Sequence, residues 1–270
     1  TVEQSGIREI ICIDGKAERG TVQGNGCNPD ILSAYSFNTG IMLATVDCQE
    51  KATDKGCPQL IDKINITKKV VTADAMSMQK DIIDKIRKNG GDFLIEFKAN
   101  QSSLRYGVEE GLIAVAGLYN VEGPELEHGR VETRTYRVYD GLEIIADKEK
   151  WDGNMTIIEY EATLGKEING SADFRKEVVC KQSAEHAPAL GAYVADQWSI
   201  ESMHWGLDVN LLQDRIKRKS PKASRNLDTI QRTVYSVFSI WKGLRKKRSD
   251  KKKGMAKLMR HVSMSFTRLL

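Results

Sequence analysis

The stretch REIICIDGK, residues 8–16, crowds Ile10, Ile11 and Ile13 directly ahead of Asp14 and Gly15. A β-branched run this short, closed by a turn-forming pair, predicts a buried strand ending at an acid. Comparable runs follow. ILSAYSFNTGIMLATVD predicts two strands, at about 31–37 and 41–47, joined through Asn38-Thr39-Gly40 as a hairpin. KKVVTADAM supplies another strand that ends in an acid, Asp74, and DFLIEF at 92–97 a fifth. Between them Pro58 opens a short helix through Leu60, Ile61 and Ile64. A second helix, Ser77 to Lys88, carries Ile82, Ile83 and Ile86 on one stripe and stops at Asn89-Gly90-Gly91. Three antiparallel strands, a crossover helix, a strand, a helix and a strand describe an α/β chain, a mixed sheet flanked by helices.

Residues 1–101 thus form the first part of a core. The pattern loses regularity over 102–175, which reads as an insertion with a helix at 102–118 and a strand at Thr156 to Glu161. The core resumes over 176–241 with a short strand at 177–180, a mostly helical stretch from Ala189 to Leu212, and a helix from Arg225 to Trp241. That helix sets Leu227, Ile230, Val234, Val237, Phe238 and Trp241 at helical spacing, which predicts a core-facing stripe, with an interaction surface as the other reading. A basic tail, 242–270, closes the chain; its KGLRKKRSDKKK is too charged to bury.

Composition narrows the classes. The 270 residues are 40% hydrophobic and 29% charged, ordinary for a globular protein of one large domain or two smaller ones. No apolar run approaches the roughly 20 residues of a bilayer-spanning helix, and Thr1 to Glu9 lacks a secretory pattern, so a cytoplasmic setting is expected. Five cysteines without a C-x-x-C pair argue against a disulfide framework and a zinc knuckle. The net charge of +4 conceals an asymmetry: from Arg215 onward there are 18 Lys and Arg against two acids, Asp228 and Asp250. A basic end on an acidic body suits a polyanion such as DNA, though it also suits a solvated tail.

Within WSIESMHWGLD, residues 198–208, Glu201 stands between two tryptophans on a predicted helix. A carboxylate on a packed element needs a partner to offset its desolvation. Asp14 and Asp74 would lie side by side if their strands are neighbours, and carboxylates that close repel unless they share a proton or bind cations. Two such acids and a third from a helix suit a pair of Mg2+ ions about 4 Å apart, an arrangement for phosphoryl chemistry. For each Asp alone, a turn or N-cap role is the alternative.

The runs IDGK, TADAMSMQK, FKANQ at 97–101, EHGRVETR at 127–134 and WSIESMHWGLDV at 198–209, in that order, resemble the ISAs1-family transposases, the H-repeat-associated proteins. The resemblance covers residues 8 to 241. It implies a DDE catalytic domain of ribonuclease H-like fold that cleaves and joins double-stranded DNA at the ends of its own insertion sequence. It implies Mg2+ as cofactor, with Mn2+ as a substitute, and a homodimer on DNA. The family's acids fall on Asp14, Asp74 and Glu201. Gly15 and Lys16 follow the first acid as in the family, and Lys98, Asn100 and Gln101 occupy the family's Lys, Asn and Gln after the fifth strand. Lys16 and Lys98, just past strand ends, are candidate DNA contacts. His128, Arg130 and Arg134 offer phosphate donors, or belong to an exposed turn around Gly129. His204, three residues after Glu201, is placed to orient that acid, to touch DNA, or to serve a structural role. Trp198 and Trp205 are expected to anchor the helix in the core.

This chain departs from the family pattern at Ala195 and Gln197, where an Arg and a His are usual, at Ser202 in place of Asn, and at Gln213-Asp214 in place of an acidic pair. Its start is also shorter than the family's. Those departures motivate an alternative, an inactive, truncated relic that only binds nucleic acid.

Overall fold

The computed structural model describes residues 8–21, 28–48, 53–77, 79–96, 106–108, 118–127, 130–145, 151, 156–165, 173–181, 199–218, 220–245 and 254–267. The chain divides into two compact units. One comprises residues 1–10 and 65–197, the other 11–64 and 198–270. Both mix helices with sheet.

The unit that carries the chain's end is built on β1 (Ile10–Ala17), β2 (Asp30–Ser36) and β3 (Ile41–Cys48). β1 pairs antiparallel with β2, setting Asp14 opposite Ser33, and β2 pairs antiparallel with β3 with a register shift at Ala34/Tyr35. The expected hairpin is therefore present. β1, however, does not end at Asp14; it runs three residues further, because pairing with β2 continues through Ala17 opposite Asp30. Helix α1 (Thr53–Asp62) buries Cys57, Leu60 and Ile61. It starts a turn ahead of the expected position, so Pro58 lies inside the helix rather than at its opening, at the expense of one backbone hydrogen bond.

In the other unit β4 (Val70–Ala73) and β5 (Asp92–Glu96) run parallel, connected by a 3-10 turn at Ala75–Ser77 and α2 (Lys80–Lys88). The predicted stripe is observed: Ile82, Ile83 and Ile86 are the buried residues of α2. Its C-terminus closes as the glycines foretell. Gly90 N–H bonds the Arg87 carbonyl and Gly91 N–H the Ile86 carbonyl, with Gly90 at φ 73°, a left-handed cap that a residue with a Cβ resists. Buried Asp92 is held by Arg8 at 3.2 Å and by its own following amide, that of Phe93.

The largest difference from the sequence expectation falls at 102–175. There β6 (Leu118–Glu127), β7 (Arg130–Asp140), β8 (Thr156–Gly165) and β9 (Asp173–Lys181) form a long antiparallel meander, joined to β5 through β9. A short helix, α3 (Gly141–Ile144), follows β7. In β7 the stretch Arg130 to Thr135 alternates charged residues with β-branched ones, a period-2 signal obscured by the charge. The described sides of the strands are cohesive: Arg137 pairs with buried Glu159 at 2.8 Å, and Tyr139 donates to the same carboxylate at 3.1 Å. Burial and that neighbouring charge raise the Tyr139 pKa.

Three helices complete the unit built on β1, β2 and β3: α4 (Ser199–Asn210), α5 (Pro221–Gly243) and α6 (Met255–Thr267). α6 lies inside the stretch expected to be a basic tail, and its Leu258 is 2% exposed. α5 begins at Ser220, whose hydroxyl caps Ala223 N–H, with Pro221 in the first turn, so the helix starts earlier than expected. Its orientation departs from the expectation, for Leu227, Val234, Phe238 and Trp241 of the apolar stripe are only half-buried. The inward residues are Ser224, Asp228, Gln231, Arg232 and Ser236, whereas Ile230 and Val237 are each 58% exposed.

The inward face is polar because it meets polar partners. Arg232 grips both Asp228 oxygens at 2.7 and 2.8 Å and donates to Ser33 Oγ on β2 at 2.8 Å. Asp228 also takes the Gln213 amide. Arg218 reaches Glu18 at 3.3 Å, the Gln213 carbonyl at 2.9 Å and Gln231 at 3.1 Å, while Ser224 bonds both Glu18 and Thr21. At the far side of β3, Met42 N–H donates to Ser236 Oγ at 3.0 Å. A buried network of this kind holds position only when its members are paired, and each of these residues has at least one partner. Among the described residues no helix is long and apolar enough to cross a membrane.

Candidate active site

Successive outward positions on one face of a strand are two residues apart, about 6.6–6.8 Å. Four to five residues of helix rise about 6–7.5 Å. The same face of β1 meets α4 at that matched interval. Cys12 Sγ lies 3.5 Å from Ser199 Oγ, His204 Nδ1 lies 3.3 Å from Asp14 Oδ2, and Lys16 Nζ lies 2.9 Å from Asp208 Oδ1. Strand and helix therefore lie alongside each other in register, with Asp14 at the middle rung.

Asp14 keeps 31% of its side chain exposed, while the His204 side chain is only 11% exposed. Burial lowers the His204 pKa, against the opposing pull of the Asp14 hydrogen bond and charge. The imidazole is thus neutral near pH 7 and has a single N–H. Spent at Nδ1 on Asp14, it leaves buried Nε2 with no hydrogen-bond partner among the described residues. His204 holds the Asp14 carboxylate; of the three roles open to it in the sequence, this geometry favours the structural one.

Glu201 is in the first turn of α4, exposed, and seven residues ahead of Asp208 on the same side of the helix. Trp205, one turn beyond it, is 63% exposed. The expected core anchor at this position is not Trp205. α4 is instead seated by Ile200, Met203 and Leu207, and by Gly206, where an added Cβ would stand 2.6 Å from the Tyr235 ring. Trp198 lies outside the described residues, as do Ala195 and Gln197.

Lys16 is engaged within the protein: its Nζ reaches Asp208 at 2.9 Å and Asp214 at 3.0 Å, and its side chain is 10% exposed. Gln213-Asp214, in sequence a weakened acidic pair, serves two separate contacts: Gln213 on Asp228 and Asp214 on Lys16.

In the other unit Asp74 directly follows β4. Its Oδ1 accepts Ala75 N–H at 2.7 Å and its carbonyl accepts Ser77 N–H at 2.8 Å, the turn role that the sequence left open. Arg130 and Arg134 are on β7, opposite Glu127 and Glu122. Lys98, Asn100, Gln101 and His128 lie outside the described residues. The three acids expected from the sequence, Asp14, Asp74 and Glu201, each offer carboxylate oxygen, the chemistry a hard divalent cation prefers. Among the described residues, no three His, Cys, Asp or Glu side chains converge closely enough to hold a metal ion in this arrangement.

A family model described as "Transposase DDE domain" matches residues 8–236. "Putative transposase YncI" of Escherichia coli O157:H7 is 30% identical over 263 residues, covering 92% of this chain and 66% of its own length. "H repeat-associated putative transposase YhhI" of Escherichia coli strain K12 is 27% identical over 256 residues, 89% of this chain and 68% of its own length. A solved S-adenosylmethionine-dependent methyltransferase from Clostridium acetobutylicum ATCC 824 aligns over 50% of this chain and 48% of its own at 9% identity, with a TM-score of 0.18, too low to bear on the fold. The chain belongs to the DDE transposases of the H-repeat-associated type. It spans about two thirds of the length of these relatives.

Proposed function

We propose that this chain is the catalytic part of an insertion-sequence transposase of ribonuclease H-like fold, which cleaves double-stranded DNA at the element's ends and joins it to a target. The observation that carries the reading is the rung between Asp14 on β1 and His204 on α4, the helix that also bears Glu201, in a chain matched to the DDE domain over residues 8–236. Asp14, Asp74 and Glu201 are the residues that would hold Mg2+, or Mn2+ in its place. When bound, such ions supply an activated oxygen nucleophile and neutralise charge on the departing oxygen. His204, neutral and buried, fixes one Asp14 oxygen, and the Asp14 side chain keeps part of its surface exposed. Lys98, Asn100, Gln101, His128, Arg130 and Arg134 remain the proposed DNA contacts; for Lys16 the internal ion pairs argue otherwise. A bacterial cytoplasmic setting and pairing of two copies on DNA belong to the same proposal.

The test is Mg2+-dependent nicking of a duplex carrying the inverted repeats that flank the reading frame. Asp14→Ala, Asp74→Ala and Glu201→Ala should each cost more than the roughly 10–100-fold typical of losing an outer-sphere partner. Full nicking by Asp14→Ala sinks the assignment. Duplex binding without any nicking by the unaltered chain selects the inactive, DNA-binding alternative.

A further inference from the structure

The ion pairs of Lys16 span more of the molecule than a salt bridge on one element. Lys16 belongs to β1, Asp208 to the last turn of α4, and Asp214 to the turn beyond it. Asp214 Oδ1 also accepts the backbone N–H of Arg19, at 3.2 Å, so the turn is tied to the exit of β1 at two points. That turn is held in a demanding shape. Leu212 has φ 55°, a left-handed conformation that a branched residue adopts only when its surroundings impose it. The surroundings are visible: Gln213 N–H bonds the Leu207 carbonyl, and the Gln213 side chain is buried on Asp228 of α5. The backbone path thus presents Asp214 to Lys16.

We propose that Lys16, Asp208 and Asp214 form a positioning clamp that fixes how far α4 slides along β1, and so fixes Glu201 and His204 relative to Asp14. Lys16 is two residues from Asp14 on the strand, and Asp208 is four from His204 and seven from Glu201 on the helix. A one-turn slip of α4 would part both rungs together. One cation between two carboxylates leaves the cluster with a net negative charge, which repels a phosphate rather than binding it. The inference rests on the proposed metal-holding role of Asp14 and Glu201, but it can be judged apart from it.

The experiment compares the full chain with Lys16→Met, Lys16→Arg and the exchange Lys16→Asp/Asp214→Lys. Three quantities are read: single-turnover nicking with Mg2+, the salt dependence of duplex binding, and amide hydrogen exchange of residues 199–210. Lys16→Met should slow nicking about 10–100-fold and speed exchange in α4 while leaving the salt slope and exchange in β5 unchanged. Lys16→Arg and the exchange variant should recover much of both losses. If Lys16→Met instead lowers the salt slope by about 0.9, one phosphate's worth, with exchange in α4 unaltered, Lys16 touches DNA and the clamp is overturned. If the unaltered chain does not nick, the catalytic reading fails alone. Exchange in 199–210 then decides the clamp: faster in Lys16→Met supports it, and unchanged rejects it.

Discussion

Glu18 shows how much a single buried acid determines. It is 1% exposed, bonded by Ser224 and paired with Arg218, with Asp228 and Arg232 close enough to act on it through charge. Burial dominates and raises its pKa above the ordinary 4.5. A carboxyl with a raised folded pKa contributes stability that is fully present at pH below the unfolded value and is lost as pH climbs through the folded value. Glu18→Gln keeps the shape and much of the hydrogen bonding while removing that titration. The thermal midpoint of Glu18→Gln should therefore gain on that of the unaltered chain as pH rises from 4 to 8, and a constant difference would refute the assignment. None of this is legible in the sequence, where Glu18 is one acid in KAERG. The same limit applies to Lys16. Its position after Asp14 is readable, but its partners, nearly 200 residues away, depend on how α4 docks. By contrast the strand that bears Asp14 and the helix that bears Glu201 and His204 are legible, because β-branched and apolar spacing places both.

Helix α5 is the element on which spacing misleads. Leu227, Ile230, Val234, Val237, Phe238 and Trp241 form an apolar stripe that any periodicity argument turns inward, yet the buried side is Ser224, Asp228, Gln231, Arg232 and Ser236. The polar side wins because every residue on it meets a partner from outside the helix, namely Glu18, Thr21, Ser33, Met42, Gln213 or Arg218. Two opposite outcomes follow for variants of one helix, read by chemical denaturation. Arg232→Ala strands Asp228 in the interior and should cost about 3–5 kcal/mol. Ile230→Gln and Val237→Gln, at exposed sites, should each stay within about 0.5 kcal/mol. A large loss in the second pair would show that the outward stripe is covered. Among the strands of 118–181, β8 and β9 fall where the sequence places strands at 156–161 and 177–180, while β6 and β7 escape sequence reasoning for a related reason. Interspersed Glu and Arg hide the period of two in β7, and His128-Gly129, the two residues between Glu127 and Arg130 in sequence, pass for an isolated turn.

At the scale of the molecule, charge is the property that sequence alone states well. Lys246, Lys247, Arg248 and Lys251 to Lys253 lie between α5 and α6, outside the described residues. If they bind duplex DNA, replacing all six with Gln should flatten the plot of log affinity against log salt by up to about 0.9 for each phosphate no longer neutralised, at little change in sequence preference. An unaltered slope would make the segment a solvated connector. A second property of the whole, how it behaves in company, turns on one hydroxyl. β3 ends the row β3-β2-β1, and its outer rim carries amides that no further strand among the described residues takes up. At Met42 the Ser236 hydroxyl of α5 takes one of them, so that a helix side chain occupies the place of a neighbouring strand. The helix acts as a fender along an exposed flank. A strand of an identical chain approaching that rim at Met42 would find this amide already engaged by a contact made within the protein itself.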